Sequence, residues 1–184
     1  MLMRLNLDKV KHPICCYYPA SGKKYFDRLR YCCSYRENIR VDECPVKQAG
    51  LVEDDGNFKI EAAFLDHGVE NVGWRITEPD TIKFDKEALK KLGIDGPQVK
   101  KLEREGFLAV NGKIVRLEDV SHLRKGDVFA YVVDTRPCKQ AIELARGAKM
   151  LLCESTYLDE EKAMADEYRH MTARQAAEIA KEAG

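Results

Sequence analysis

The chain has 184 residues, of which 45% are hydrophobic and 34% are charged. This composition is that of a globular protein with a packed core, and it excludes a disordered chain. The 31 Lys and Arg side chains balance 31 Asp and Glu side chains, which argues against indiscriminate binding of nucleic acids. No apolar run approaches the roughly 18 to 20 residues that span a membrane, and the first residues lack the pattern of a signal peptide. We therefore expect a cytoplasmic protein without membrane contact.

The seven cysteines contain no pair separated by two residues, which is the usual spacing of a zinc-binding pair. A zinc site could be assembled from His12 and cysteines elsewhere in the first 44 residues, but adjacent cysteines such as Cys32 and Cys33 chelate poorly. Free cysteine is among the most buried residue types, so core packing is the favoured interpretation. We expect reduced, buried thiols with no disulfide partner.

The first 78 residues predict several short strands and one helix. The helix is predicted to begin near Gly22, with an apolar stripe formed by Tyr25, Leu29 and Cys32. The acidic segment 50–57 indicates a loop or a hairpin turn. Strands are predicted by short apolar runs or by alternation of apolar and polar residues at 12–18, 38–44, Phe58–Phe64 and Val72–Thr77.

Residues 79–126 differ from their surroundings in charge and in their frequent turn signals. They contain 11 Lys and Arg against 8 Asp and Glu. Their pattern predicts helices at Lys86–Leu92 and Val99–Glu105. Phe107–Leu117 is typical of a hairpin, because its central Asn-Gly pair favours a type I′ turn. We interpret this segment as an arm inserted between two core strands, and the alternative is a solvated insertion without a partner.

The last third of the chain has an alternating strand and helix pattern. The continuous apolar run Val128–Val133 predicts a strand that is buried on both faces, and it ends at Asp134. A helical pattern follows, and Met150–Cys153 then predicts a second buried strand that ends at Glu154. Thr172 is expected to cap the N-terminus of the final helix.

Four side chains capable of metal binding or proton transfer fall at predicted strand ends or at a helix entry: His67, Asp134, Glu154 and His170. The carboxyl ends of strands in an open α/β sheet share one edge, so these groups can converge. Imidazole and carboxylate groups bind zinc and also act as acids and bases. The alternatives are that Asp134 only starts a turn or caps a helix, and that His67 is an ordinary turn residue.

Several motifs resemble the ribonuclease Z family in order and spacing. They are Tyr17-Tyr-Pro-Ala-Ser-Gly, Phe64-Leu-Asp-His67-Gly-Val-Glu-Asn-Val-Gly-Trp, Leu92-Gly-Ile-Asp-Gly-Pro97, Asp134-Thr-Arg-Pro-Cys138, Cys153-Glu-Ser-Thr156 and Arg169-His-Met-Thr172. Members of that family are tRNA 3′-processing endonucleases of the metallo-β-lactamase fold. The resemblance covers nearly the whole chain and implies an α/β sandwich of the αββα type. Residues 1–184 are then expected to form a partial metallo-β-lactamase domain, and residues 79–126 are expected to include the arm that binds tRNA.

The resemblance also implies roles for individual residues. His67 matches an isolated metal-binding histidine, and Asp134 matches the aspartate that bridges two zinc ions. His170 matches the histidine that assists the leaving group, and Glu154 matches the glutamate that orients this histidine. Two motif positions depart from the usual residues, with Cys for His at 153 and Met for Ser at 171. The implied cofactor is a pair of Zn²⁺ ions, the implied substrate is precursor tRNA, and the implied assembly of the complete enzyme is a homodimer.

The family's main ligand motif, His-x-His-x-Asp-His, cannot be formed by the four histidines of this chain. By resemblance, that motif belongs before residue 1 and a last metal histidine belongs after Gly184, so only two of seven usual ligands are present. Zinc ordinarily needs three or four protein ligands. We therefore expect a fragment that is inactive alone, does not retain zinc and leaves some strands uncovered. Two alternatives stay open: another phosphodiesterase or hydrolase of the metallo-β-lactamase fold, and a non-catalytic half-domain that binds another chain.

Overall fold

The computed structural model describes residues 1–34 and 36–184 and divides into two compact units. The first unit comprises Met1–Glu78 and Asp127–Gly184, and the second comprises Pro79–Gly126. The strands are β1 (Ile14–Pro19), β2 (Val41–Val46), β3 (Gly50–Asp54), β4 (Lys59–Phe64), β5 (Val72–Thr77), β6 (Thr81–Phe84), β7 (Phe107–Val110), β8 (Lys113–Arg116), β9 (Ser121–Arg124), β10 (Val128–Val132) and β11 (Met150–Cys153). The helices are α1 (Leu2–Leu7), α2 (Lys23–Arg30), α3 (Lys86–Leu92), α4 (Gly96–Glu105), α5 (Lys139–Ala145), α6 (Lys162–Tyr168) and α7 (Ala173–Ala183).

The first unit is built on a five-stranded sheet in the order β11-β10-β5-β4-β3. Strand β10 is parallel to β11 and antiparallel to β5, and β4 is antiparallel to both of its neighbours. Strands β4, β10 and β11 consequently run in the same direction, and their carboxyl ends share one edge. The strands predicted at Phe58–Phe64, Val72–Thr77 and Met150–Cys153 are confirmed to within one residue.

Helices α5 and α7 supply the hydrophobic side chains that pack on one face of this sheet. Ala130 and Val132 of β10 are completely buried in that cluster. Gly73 of β5 permits the close approach of α5, because a Cβ atom at this position would lie 2.7 Å from Cδ1 of Leu144. The absence of a side chain at Gly73 therefore allows α5 to pack closely against this face of the sheet.

The opposite face of β10 and β11 is largely exposed. The register pairs Phe129 with Met150 and Tyr131 with Leu152, so these four side chains share that face, which we call the apolar sheet face. The exposed fractions of Tyr131, Met150 and Leu152 are 36%, 64% and 46%. The prediction that Val128–Val133 is buried on both faces is therefore wrong, because helices cover only one of them. The expectation of uncovered strands is confirmed here.

Strands β1 and β2 form a separate parallel pair, and α2 packs against it through the ring of Phe26, which stacks on Tyr18 with 4.7 Å between centroids. The predicted helical stripe is wrong. Tyr25 and Leu29 are 45% and 75% exposed, and the helix ends before Cys32. The reason is that α2 turns Phe26, and not the predicted stripe, toward β1.

Two other sequence predictions in the first unit are corrected by strand pairing. The strand expected at 38–44 is displaced to Val41–Val46, the residues that pair with β1. The acidic segment 50–57, expected as a loop or a hairpin turn, contains β3 at Gly50–Asp54, which pairs with β4, and the hairpin turn follows it. The turn between these strands is held by the carboxylate of Asp55, which accepts hydrogen bonds from the backbone N–H groups of Asn57 and Phe58.

The seven cysteines are free thiols, and the expectation that they are buried is wrong, because none of them is fully buried. Cys15, Cys32 and Cys33 are exposed, and the other four are partly buried. Cys32 and Cys33 lie just beyond the end of α2, and their Sγ atoms are 3.6 Å apart.

The second unit packs α3 and α4 with two antiparallel ribbons, β6-β9 and β7-β8, around the buried residues Leu102 and Val120. The hairpin prediction is confirmed, because Asn111 and Gly112 at its tip have φ values of 49° and 77°, as a type I′ turn requires. Helix α4 begins earlier than predicted, since Pro97 occupies its first turn.

Gly93 ends helix α3 in the left-handed conformation, as predicted from its position after Leu92. Thr172 caps α7 as predicted, and its hydroxyl oxygen accepts a hydrogen bond from the backbone N–H of Gln175. In the described residues, the helices fall short of the length and apolar character that crossing a bilayer requires.

Candidate active site

The structure brings the four predicted site residues together at the shared edge of β4, β10 and β11. His67, Asp134 and Glu154 follow these three strands in turn, and His170 precedes α7. One ligand atom each from Asp134, Glu154 and His170 lie within 4.8 Å of one another. The imidazole rings of His67 and His170 have centroids 4.8 Å apart. The common direction of the three strands is the physical reason for this convergence.

Glu154 is the buried member of the group, with a side chain that is only 4% exposed. Its carboxylate accepts hydrogen bonds from the backbone N–H groups of Thr135 and Met171, from the Thr156 hydroxyl at 2.8 Å and from His170 Nδ1 at 3.0 Å. A carboxylate offers about four lone-pair sites. These contacts occupy them, so Glu154 is suited to hold His170 and has little capacity left to bind a metal.

His170 is oriented by this buried carboxylate. An ionised carboxylate only accepts hydrogen bonds, so the hydrogen lies on Nδ1 of His170 and points at Glu154. Nε2 is then the atom that can exchange a proton with a substrate. The His170 side chain is 20% exposed, which leaves it accessible. An imidazole anchored to a buried carboxylate is an arrangement used for general acid–base catalysis.

His67 has the hydrogen-bonding pattern of a metal ligand. Its Nδ1 lies 3.0 Å from the backbone carbonyl oxygen of Arg169. Because a carbonyl cannot donate, Nδ1 must carry the hydrogen, and the lone pair of Nε2 is left available. Histidines that bind metals commonly donate their other ring N–H to a carbonyl or a carboxylate in this way.

Two residues whose roles were not predicted from the sequence, Thr135 and Asn71, fix the strand ends at the site. Thr135 is completely buried, and its hydroxyl oxygen accepts a hydrogen bond from the backbone N–H of Asp66 at 3.2 Å, which joins the segment after β10 to the segment after β4. Asn71 Nδ2 donates to the carbonyl oxygens of Val133 at 3.3 Å and Asp134 at 2.5 Å. The available signal was their place inside the motifs around His67 and Asp134.

An ion pair lies next to His67. The Asp66 carboxylate contacts Nε of Arg136 at 2.7 Å and Nη1 of Arg169 at 3.6 Å. The hydrogen bond from Arg136 holds the pKa of Asp66 below its ordinary value, so this carboxylate stays charged across the neutral range. These contacts of Asp66 with Arg136 and Arg169 therefore link the three segments that carry His67, Asp134 and His170.

Cys153 occupies the motif position that usually holds histidine, and its thiol stays protonated in the neutral range. Burial raises the pKa of its thiol to about 11, and its Sγ lies 3.6 Å from Sδ of Met171. Met171 itself is completely buried. Both departures from the motif thus serve packing behind the site.

The donor atoms left free in the described residues are compatible with zinc. The Nε2 atom of His67 and the exposed carboxylate of Asp134 are the nitrogen and oxygen donors that zinc accepts, at about 2.0 to 2.2 Å. Two such side chains are fewer than the three or four protein ligands that a zinc ion uses. The described residues therefore fit part of a metal site.

Comparison with curated proteins shows similarity along the entire chain. Ribonuclease Z of Protochlamydia amoebophila (strain UWE25) is 64% identical over 183 residues, and ribonuclease Z of Chlamydia muridarum is 60% identical over 183 residues. The chain is homologous to ribonuclease Z along its whole length. Each match covers 100% of this chain and 60% of the ribonuclease Z relative, so the chain spans about three fifths of those proteins. No protein-family model matches the chain.

Solved structures identify the fold. Human tRNase Z, short form, matches with a TM-score of 0.61 at 16% sequence identity, over 99% of this chain and 61% of that chain. The metallo-β-lactamase fold protein YhfI of Bacillus subtilis matches with a TM-score of 0.55, over 94% of this chain and 49% of that chain. At this low identity the likeness shows the fold alone. The chain has the metallo-β-lactamase fold, which confirms the predicted α/β class.

Proposed function

We propose that this chain forms part of the active site of a zinc-dependent endonuclease that removes the 3′ trailer from precursor tRNA. The observation that carries the proposal is a single juxtaposition. A chain homologous to ribonuclease Z throughout brings His67, Asp134, Glu154 and His170 to one edge of its sheet. Two acid–base groups and two metal-binding groups thus face one reaction space.

The roles follow from the hydrogen bonds. Glu154 accepts the Nδ1–H of His170, so when His170 is an imidazolium its Nε2–H can pass to the departing 3′ oxygen and leave the neutral Nδ1–H imidazole. His67 and Asp134 would be the side chains of this chain that hold zinc. Bound zinc would supply the Lewis acidity that lowers the pKa of the attacking water toward neutrality. Burial of Glu154 keeps the imidazole in a fixed orientation throughout.

The isolated chain is proposed to be inactive. Glu154 is fully engaged by donors within the protein, so His67 and Asp134 are the side chains of this group that remain free for metal. Two ligands shared between two ions give too little affinity to retain zinc. Activity then requires further ligands from the part of ribonuclease Z that this chain does not match.

The second unit, Pro79–Gly126, is proposed to hold the tRNA. Its excess of Lys and Arg, 11 against 8 acidic residues, supports contacts with phosphates. Structured RNA is recognised mainly through its shape and backbone, which a compact unit with an excess of basic side chains can contact.

A chimera tests the proposal. The segments of the Protochlamydia amoebophila ribonuclease Z that lie outside the match are joined to this chain, and zinc content and cleavage of precursor tRNA are measured. We expect the chimera to bind zinc and cleave the trailer, and the 184-residue chain to do neither. His170→Ala should lower the rate about 10²- to 10⁴-fold. His12→Ala, which alters an exposed histidine outside the site, is the matched control.

A generic phosphodiester, bis(p-nitrophenyl) phosphate, separates this proposal from the alternative hydrolase. Rapid turnover of the small ester by the chimera, with no cleavage of precursor tRNA, would contradict the tRNA proposal. It would favour a phosphodiesterase of the same fold.

A second candidate function is that of a non-catalytic half-domain that binds another chain. The apolar sheet face favours it, because exposed contiguous apolar surface marks interaction sites, and two sheets pack face to face at about 10 Å. We expect the purified chain to associate through this face, as measured by light scattering over a range of concentrations. Leu152→Lys should weaken association, whereas Leu29→Lys, at an exposed leucine elsewhere, should not. A monomer at every concentration would exclude this candidate.

A further inference from the structure

Arg169 stands between α6 and His170 in an unusual backbone conformation. Its φ and ψ are 57° and 44°, the left-handed region that L-residues other than Asn and Asp seldom adopt. Glycine is the usual residue where a helix ends in this conformation. An arginine here therefore needs a compensating interaction of its side chain or of its backbone.

Both parts of Arg169 bind the segment around His67. Its carbonyl oxygen accepts the hydrogen bond from His67 Nδ1 at 3.0 Å, and its Nη1 donates to the carbonyl oxygen of His67 at 3.2 Å. The same guanidinium lies 3.6 Å from the Asp66 carboxylate. The two hydrogen bonds between Arg169 and His67 thus form a closed ring of contacts, although the two residues are 102 positions apart in sequence.

This ring determines which nitrogen of His67 is available. With Nδ1–H held by the carbonyl of Arg169, the lone pair lies on Nε2. The next residue along the chain is His170, whose ring lies 4.8 Å from that of His67. One left-handed residue therefore sets the tautomer of the first histidine and the position of the second.

We propose that Arg169 is a positioning residue that holds His67 as the Nδ1–H tautomer and keeps the two histidines in register. The proposal rests on the proposed function only in taking His67 as a metal ligand. A surface arginine that merely follows a helix would not need both its carbonyl and its guanidinium on the same partner.

The test reads the tautomer directly in the 184-residue chain. Two-bond ¹H–¹⁵N correlation spectra of ¹⁵N-histidine-labelled protein, recorded near pH 8 where ordinary histidines are neutral, assign the protonated nitrogen of each ring. We expect His67 to be Nδ1–H in the unaltered chain and a mixture of both tautomers in Arg169→Ala. Arg174→Ala, which removes an exposed ion-paired arginine from α7, should leave His67 unchanged.

Arg169→Gly keeps the test decisive if the alanine variant folds poorly. Glycine adopts the left-handed conformation without strain, so this variant retains the backbone carbonyl and loses only the guanidinium. Because the guanidinium contacts with the His67 carbonyl oxygen and the Asp66 carboxylate hold the two segments together, their loss should release His67 Nδ1 from the carbonyl of residue 169. A mixture of tautomers at an unchanged melting temperature supports the proposal. An Nε2–H tautomer in the unaltered chain, or a pure Nδ1–H tautomer in Arg169→Gly, would overturn it.

Zinc binding separates this inference from the proposed function. In the chimera described above, Arg169→Gly should weaken zinc affinity about 10- to 100-fold, the usual effect of losing a group that orients a ligand. A tautomer change without any change in zinc affinity would uphold the positioning role and show that His67 is not a ligand.

Discussion

Replacing the buried carboxylate of Glu154 with an amide is the sharpest test of how the site is held. In Glu154→Gln, one carboxylate oxygen is replaced by an NH₂ group, which cannot accept a hydrogen bond. The groups that now donate to the carboxylate include two backbone N–H groups and the Thr156 hydroxyl, and some of them would then face the NH₂ group. The hydroxyl can rotate away, but a buried backbone N–H cannot. An unsatisfied buried N–H costs about 1 to 3 kcal/mol, and hydrogen bonds to a charged acceptor contribute about 1.5 to 3 kcal/mol.

We therefore expect Glu154→Gln to lose about 2 to 4 kcal/mol of unfolding free energy, since the amide oxygen preserves part of the network. For a chain of this size that loss lowers the melting temperature by roughly 5 to 15 °C. Circular dichroism melts and denaturant titrations measure both quantities. Glu182→Gln, at an exposed carboxylate on α7, is the matched control and should stay within about 0.5 kcal/mol. If the two variants were equally stable, Glu154 could not be the acceptor that organises this site.

Three further predictions concern the core, an ion pair and the thiols. Gly73→Ala should lower the unfolding free energy by about 1 to 3 kcal/mol in denaturant titrations, because its Cβ would meet Leu144; an unchanged midpoint would contradict this close packing. Asp66 has a depressed pKa, so its stabilisation is present above about pH 4 and is lost as the pH falls through the lower folded-state value. The stability difference between the unaltered chain and Asp66→Asn should shrink below that pH, and a constant difference would refute the linkage. Cys32 should react with Ellman's reagent in the folded protein at pH 8, whereas Cys153, with a pKa of about 11, should react only on unfolding, and equal rates would argue against its burial.

The sequence pattern predicted strands and turns well where residues close in sequence determine their conformation. The alternation in β4 and the Asn-Gly tip of the hairpin are examples, because period and turn chemistry act locally. The pattern failed for Val128–Val133 and for the stripe of α2. A continuous apolar run does not reveal whether anything covers its second face, and the inward side of a helix depends on what lies beside it.

The convergence of the candidate residues at one sheet edge was predictable from the sequence, and the hydrogen bonds that connect them were not. Residue type and position at strand ends identified His67 and Glu154, and the shared edge explains why they meet. Thr135, Asn71 and Arg169 were not predicted, because their roles come from hydrogen bonds between segments more than 60 positions apart. Such contacts follow from the strand order, which periodicity alone does not give.

The apolar sheet face lies on the same two strands that lead to the candidate site. Tyr131 is three residues before Asp134, and Leu152 is two residues before Glu154. A substitution on the apolar sheet face is therefore made within three residues of a candidate site residue. The measurements of association and of zinc binding consequently have to be made on the same variants, so that an effect on one can be told from an effect on the other.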